Sequence, residues 1–238
     1  MRNAVRANMR AALDISAYLV LGPENTLGRP VGDIVAQALD AGFTIVQVRS
    51  KVLDARDLMG CAAEAARAIE QAGAQDRVPL LIDDRLDVAL AARDAGIKVD
   101  GVHVGQSDVP VEVCRRYLGE DAIVGLSARA HEMRAYIATA DMSLVDYLGV
   151  GPLHETATKP DCGLDVDGNV ITRSLEELTE LARISPKPIV VGGGVKAADI
   201  PGLAKTGVDG FFVVSAVCGA EDPRAAAAEL VNLWKAAR

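Results

Sequence analysis

The chain has 238 residues, 25 of them basic and 33 acidic, for a formal net charge of −8. That balance argues against a general nucleic-acid or anionic-membrane binder and leaves room only for a local basic pocket. Half of the residues are hydrophobic but only 3% are aromatic, so aliphatic and alanine packing must build the interior, as alanine-rich helices over Val/Ile/Leu strands do.

The opening MRNAVRANMR is basic and lacks a signal peptide's apolar core, so residues 1–15 read as a disordered basic extension. Short aliphatic runs follow at 17–21, 44–48, 79–82, 101–104, 122–126, 144–150, 188–191 and 210–214. Most are continuous rather than alternating, as strands covered on both faces should be. Helical patterns lie between them, among them 31–40, 55–71, 86–94, 111–118, 130–140, 175–184 and 223–237. Gly42 and Gly96 stand where two of these should stop. Eight strands alternating with eight helices predict a single (β/α)8 TIM barrel over 16–238, with no linker dividing it.

The segment 151–174 breaks the rhythm and is rich in turn residues, the pattern of a functional loop. Asp165, Asp167, Asn169 and Glu176 within and after it mimic calcium-loop spacing, but Val170 stands where such a loop needs glycine. The cysteines, Cys61, Cys114, Cys162 and Cys218, form no CxxC pair, and His103, His131 and His154 have no ligand spacing. Buried thiols in a reducing, cytoplasmic setting are the reading, without a disulfide framework or structural zinc. No apolar run reaches the roughly 18 residues of a membrane span.

Polar residues cluster just after the strands, at Gln47/Arg49/Lys51, Asp83/Asp84, Gln106/Asp108, Ser127, Thr156/Thr158/Lys159, Gly192–Gly194 and Ser215. In a parallel barrel these points meet on one rim, where barrel active sites form. In QVRSK, Gln47, Arg49 and Lys51 share a face if the strand pleat continues, and two cations there suit a polyphosphate. Asp84 and Asp108 follow adjacent strands, so their carboxylates could share a hard cation such as Mg²⁺. VGGGV and VVSA, after strands seven and eight, suit a second anion held by backbone N–H groups. Two phosphate sites suggest a reaction in which a diphosphate leaves and a monophosphate anchors its partner.

The segments QVRSK, DDRLDVAL, DGVHVGQSD, GLSA, YLGVGP, TATKP, VGGGV and DGFFVVSA, in this order and spacing, resemble the thiamine-phosphate synthase family along nearly the whole chain. The resemblance implies an enzyme that joins a hydroxymethylpyrimidine diphosphate to a thiazole phosphate or its carboxylated form. The products would be thiamine phosphate and pyrophosphate, formed by Mg²⁺-assisted dissociative displacement. Carried over by motif, Arg49, Lys51 and Lys159 would hold the diphosphate with Gln47, and Ser127 would lie beside the pyrophosphate or pyrimidine. Asp84 and Asp108 would bind Mg²⁺. Thr156 and Thr158 would line the thiazole side, while Gly193, Gly194, Val214 and Ser215 would hold its phosphate. The expected partners are these small molecules, with no nucleic acid and no membrane, and a homo-oligomer remains open.

Three positions depart from the family pattern. Asp83 replaces its usual asparagine, Arg129 replaces a frequent histidine with His131 nearby, and His154-Glu155 replaces an aromatic-proline pair. Two alternatives follow: a thiazole tautomerase of the same superfamily, or a catalytically silent phosphate-binding homologue. The retained Arg49/Lys51 and Asp84/Asp108 pairs favour the transferase, because an isomerase has no diphosphate to hold.

Overall fold

A computed structural model describes residues 8–127, 132–156 and 169–238. Eight parallel strands close into a barrel in chain order: β1 (Ala17–Leu21), β2 (Ile45–Val48), β3 (Leu80–Asp83), β4 (Gly101–Val104), β5 (Ile123–Ser127), β6 (Tyr147–Val150), β7 (Ile189–Val191) and β8 (Gly210–Val213). Closure is made by β1 against β8, with Tyr18 opposite Phe212. Around it run α1 (Val31–Ala41), α2 (Ala55–Gln71), α3 (Leu86–Asp94), α4 (Val111–Leu118), α5 (Met133–Thr139), α6 (Leu175–Ile184), α7 (Ile200–Lys205), α8 (Ser215–Cys218) and α9 (Pro223–Ala237).

Several helix ends follow from single residues. Asp54 accepts from the Asp57 amide at 2.9 Å to start α2, and Asp222 accepts from Ala225 at 3.0 Å to start α9, which also carries Pro223 at its first position. Gly42 stops α1 in a left-handed conformation, φ 103°, that a side chain would resist.

The predicted single TIM barrel is the observed fold, with three local differences. The sixth strand begins at Tyr147 rather than residue 144, because Met142–Leu144 form a 3-10 turn that Asp141 caps through the Ser143 amide. The fifth helix starts at Met133; part of its expected range, residues 130 and 131, lies outside the described residues. The rhythm of eight helices gains the short α8, ahead of α9.

Pleat parity divides the core into two shells. Val46, Val48, Leu80, Ile82, Val102, Val104, Val124 and Leu126 face outward and pack under the helices. Tyr18, Val20, Ile45, Leu81, Ile123, Tyr147 and Val190 face the lumen. Continuing the inward parity toward the strand ends brings Gln47, Asp83 and His103 to the upper lumen. The polar layer under the rim is therefore a direct result of where the aliphatic runs stop.

Residues 8–15 belong to the packed body. Met9 and Ile15 are buried in the lumen shell, with Leu13 against it. Arg10 Nε lies 2.5 Å from Asp146 Oδ1, and its other nitrogens reach the Glu120 and Ser143 carbonyls at 3.0 and 3.2 Å. Aspartates just before three even-numbered strands tie neighbouring strands together. Asp100 accepts from the Leu80 amide at 2.8 Å, Asp146 from Val124 at 2.7 Å and Asp209 from Ile189 at 2.8 Å.

Candidate active site

The rim joins cations and carboxylates from adjacent loops. β2 ends at Val48, and beyond it Arg49 and Lys51 each pair with an aspartate at the end of β3, while Ser50 donates to Glu24 Oε1 at 2.6 Å. Arg49 Nε sits 3.1 Å from Asp83 Oδ2, and both side chains are largely buried. Lys51 Nζ pairs with Asp84 Oδ2. Gln47 reaches down instead, donating from Nε2 to the Tyr18 hydroxyl at 2.8 Å.

Asp84 adopts φ 57°, one of two left-handed non-glycine residues among those described. A strained backbone of this kind persists only where its surroundings hold it, and such residues cluster at functional sites. Its amide donates to the His103 carbonyl at 2.8 Å, which fixes the turn. Asp84 and Asp108 interact directly, and each shifts the other's titration. Burial alone would raise Asp84, but bonds from Asp108 and Lys51 outweigh it and hold the group at about 2. Burial and the ionised Asp84 push Asp108 upward. Asp108 Oδ2 also accepts from the Gly105 amide at 2.8 Å. Two interacting hard oxygen donors on neighbouring loops fit a divalent cation such as Mg²⁺. Among the described residues no third His, Cys, Asp or Glu joins them.

Across the barrel, Gly193 and Gly194 follow β7 with φ of 81° and 71°. A Cβ at Gly193 would stand 2.6 Å from Pro152 Cα, and one at Gly194 would stand 2.8 Å from His154 Cβ. The glycines therefore also serve the loop after β6, whose Leu153 and His154 amides donate to Gly193 O at 3.0 and 2.9 Å. Val214 and Ser215 follow on the adjacent strand end, with Ser215 opening α8. Ser127 closes β5, and Thr156 lies in the loop after β6. Thr158, Lys159, Arg129 and His131 lie outside the described residues, as does half of the expected functional loop, residues 157–168. His154 Nε2 lies 3.0 Å from Asp199 Oδ1.

Three side chains that the sequence reading did not assign to the site complete the upper lumen: Tyr18, His103 and Tyr147. Tyr18 and Tyr147 hydroxyls are 2.8 Å apart, Tyr147 is 2.8 Å from His103 Nδ1, and His103 Nε2 is 2.8 Å from Ser127 Oγ. Parity was the available signal, since each falls at an inward position of a strand read as uniformly aliphatic. Gly125 and Gly149 leave the space these groups fill. A Cβ at Gly125 would sit within 2.5 Å of His103 Nδ1, and one at Gly149 would sit 2.7 Å from Ser127 Oγ. Gly125→Ala should therefore destabilise the barrel by about 2 kcal/mol, the cost of overpacking a filled core. Urea unfolding that shows no shift in midpoint would contradict this.

The thiamine monophosphate synthase (TMP-TENI) family profile matches residues 17–217. The chain belongs to the thiamine monophosphate synthase family. Thiamine-phosphate synthase of Corynebacterium efficiens is 38% identical over 227 residues, covering 94% of this chain and 97% of that protein. The Natronomonas pharaonis thiamine-phosphate synthase is 35% identical over 219 residues, covering 92% and 94%. Among solved structures, thiamine phosphate pyrophosphorylase from Pyrococcus furiosus superposes with a TM-score of 0.75 at 28% identity, over 97% of this chain and 98% of that one. The thiamine monophosphate synthase match spans every strand from β1 to β8 and so takes in the whole rim.

Proposed function

We propose that this protein joins 4-amino-2-methyl-5-hydroxymethylpyrimidine diphosphate to 4-methyl-5-(2-phosphoethyl)thiazole, or its carboxylated form, giving thiamine phosphate and pyrophosphate. The observation that carries this reading is the pairing of Arg49 and Lys51 with Asp83, Asp84 and Asp108 on one side of the rim. Cations suited to a diphosphate stand beside carboxylates suited to its counter-cation. Full-length similarity to named synthases supports the same reading.

Arg49 offers a planar fork to the diphosphate and Lys51 a point charge; Lys159 would add a second. Asp84 and Asp108 would hold Mg²⁺, which when bound supplies Lewis-acid stabilisation of the leaving group. Departure of the diphosphate leaves a pyrimidine-methyl cation, and the thiazole nitrogen captures it. Gly193, Gly194, Val214 and Ser215 would hold the thiazole phosphate so that this nitrogen is in line, with Thr156 and Thr158 beside it. The buried Arg49–Asp83 contact gives the departing position from the family pattern a role: Asp83 neutralises Arg49 until the diphosphate takes its place.

Mixing the two substrates with Mg²⁺ should release pyrophosphate in step with thiamine phosphate. Isomerisation of the thiazole phosphate without pyrophosphate, or tight ligand binding with no turnover under any metal condition, would overturn this reading.

A further inference from the structure

A hydrogen-bonded file of five side chains crosses the upper lumen, Gln47–Tyr18–Tyr147–His103–Ser127, with each link at 2.8 Å. Hydrogen counting sets its direction. The Gln47 amide nitrogen only donates, so the Tyr18 oxygen accepts. A phenol has one hydrogen, and Tyr18 is 1% exposed. That hydrogen must go to Tyr147, because reversing the link strands a buried O–H at a cost of about 1–3 kcal/mol. Tyr147 is 0% exposed and under the same constraint, so its hydrogen goes to His103 Nδ1. A neutral imidazole that accepts at Nδ1 carries its proton on Nε2 and donates it to Ser127 Oγ. Ser127 then accepts from below and keeps its own hydrogen for the rim.

Two further observations support a built device. Burial raises both phenols far above the ordinary tyrosine value, so neither link is lost by ionisation at neutral pH. Gly125 and Gly149 withhold the side chains that would collide with the file.

We propose that Tyr18, Tyr147 and His103 are positioning residues that hold Ser127 as an oriented hydrogen-bond donor to an acceptor atom of the diphosphate-bearing substrate. His103 is fixed as the Nε2–H tautomer. This assignment rests on the transferase reading for its substrate, but not for its direction.

The test combines a ligand-free readout with kinetics. Long-range ¹H–¹⁵N spectra of histidine-labelled protein should show His103 protonated at Nε2 alone. In Tyr147→Phe, which keeps the ring and removes the donor to Nδ1, the spectrum should shift to a tautomer mixture. kcat should fall roughly tenfold with KM for the thiazole phosphate unchanged. Tyr18→Phe, one link further away, should move both readouts in the same direction and serves if Tyr147→Phe does not fold. A wild-type Nδ1–H tautomer overturns the direction, and an unaltered tautomer in both folded variants overturns the coupling. An inactive wild type with the Nε2–H tautomer would overturn the transferase reading instead.

Discussion

Asp84→Ala should lower pyrophosphate release roughly a thousandfold, the scale of losing a key group that stabilises developing charge, and should leave the barrel folded. Asp84 touches Lys51 and Asp108 at once, so its loss removes one of the two cation donors and frees Lys51 from its tether. The stability cost has two modest parts. The Lys51 side chain is half exposed, and such pairs contribute about 1 kcal/mol or less. Alanine at φ 57° adds about 1–2 kcal/mol of backbone strain. Asp84→Gly separates the two effects: it should relieve the strain and stay as inactive as the alanine variant. Rates measured across a magnesium titration with thermal melts make the comparison. A titration curve identical to wild type would remove Asp84 from the metal site.

Asp146→Ala should have the opposite profile, a large loss of stability from a residue far from the chemistry. Its two oxygens serve three donors: Arg10 at 2.5 Å, Arg115 at 2.8 Å and the Val124 amide at 2.7 Å. Arg115 is only 10% exposed, so truncation leaves a buried guanidinium without its carboxylate. Removing one partner of a buried pair costs about 3–5 kcal/mol. For a chain of this size that lowers Tm by roughly 6–20 °C. Asp146→Asn keeps an acceptor for Val124 and should fall between the two. A shift of under one degree on alanine substitution would show that Arg115 finds adequate compensation in its carbonyl partners, Gly119, Glu120, Ala122 and Leu144.

The barrel was legible because parallel strands covered on both faces leave uninterrupted aliphatic runs, which periodicity detects well. Four helices, at 55–71, 111–118, 175–184 and 223–237, carry clear amphipathic patterns and match their expected limits. The sixth strand was read too long because Leu144 and Val145 are apolar yet sit in and after a capped turn. Much of the rim was legible too, since charged residues at the ends of apolar runs stand out. The pairing of Asp83 with Arg49 and the Tyr18–Tyr147–His103 file did not, for a shared reason. Their roles depend on the inward face of a closed sheet, and a strand with both faces buried hides its parity. Counting two residues on from lumen-facing Leu81 would have turned Asp83 toward Arg49. Met9 and Arg10 were read as tail because a short basic segment has no period to reveal what it packs against.

That short segment bears on how the barrel should be cut. A boundary drawn where the family match begins, at residue 17, would discard Met9, Leu13 and Ile15. It would thereby open the floor beneath Ile45, Leu81 and Ile123. Water rising through that floor would compete for the Tyr18 and Tyr147 hydroxyls from below. A trim at the end farthest from the substrates would then be felt at Ser127, as a loss of hydrogen-bond direction rather than of any residue that touches a ligand.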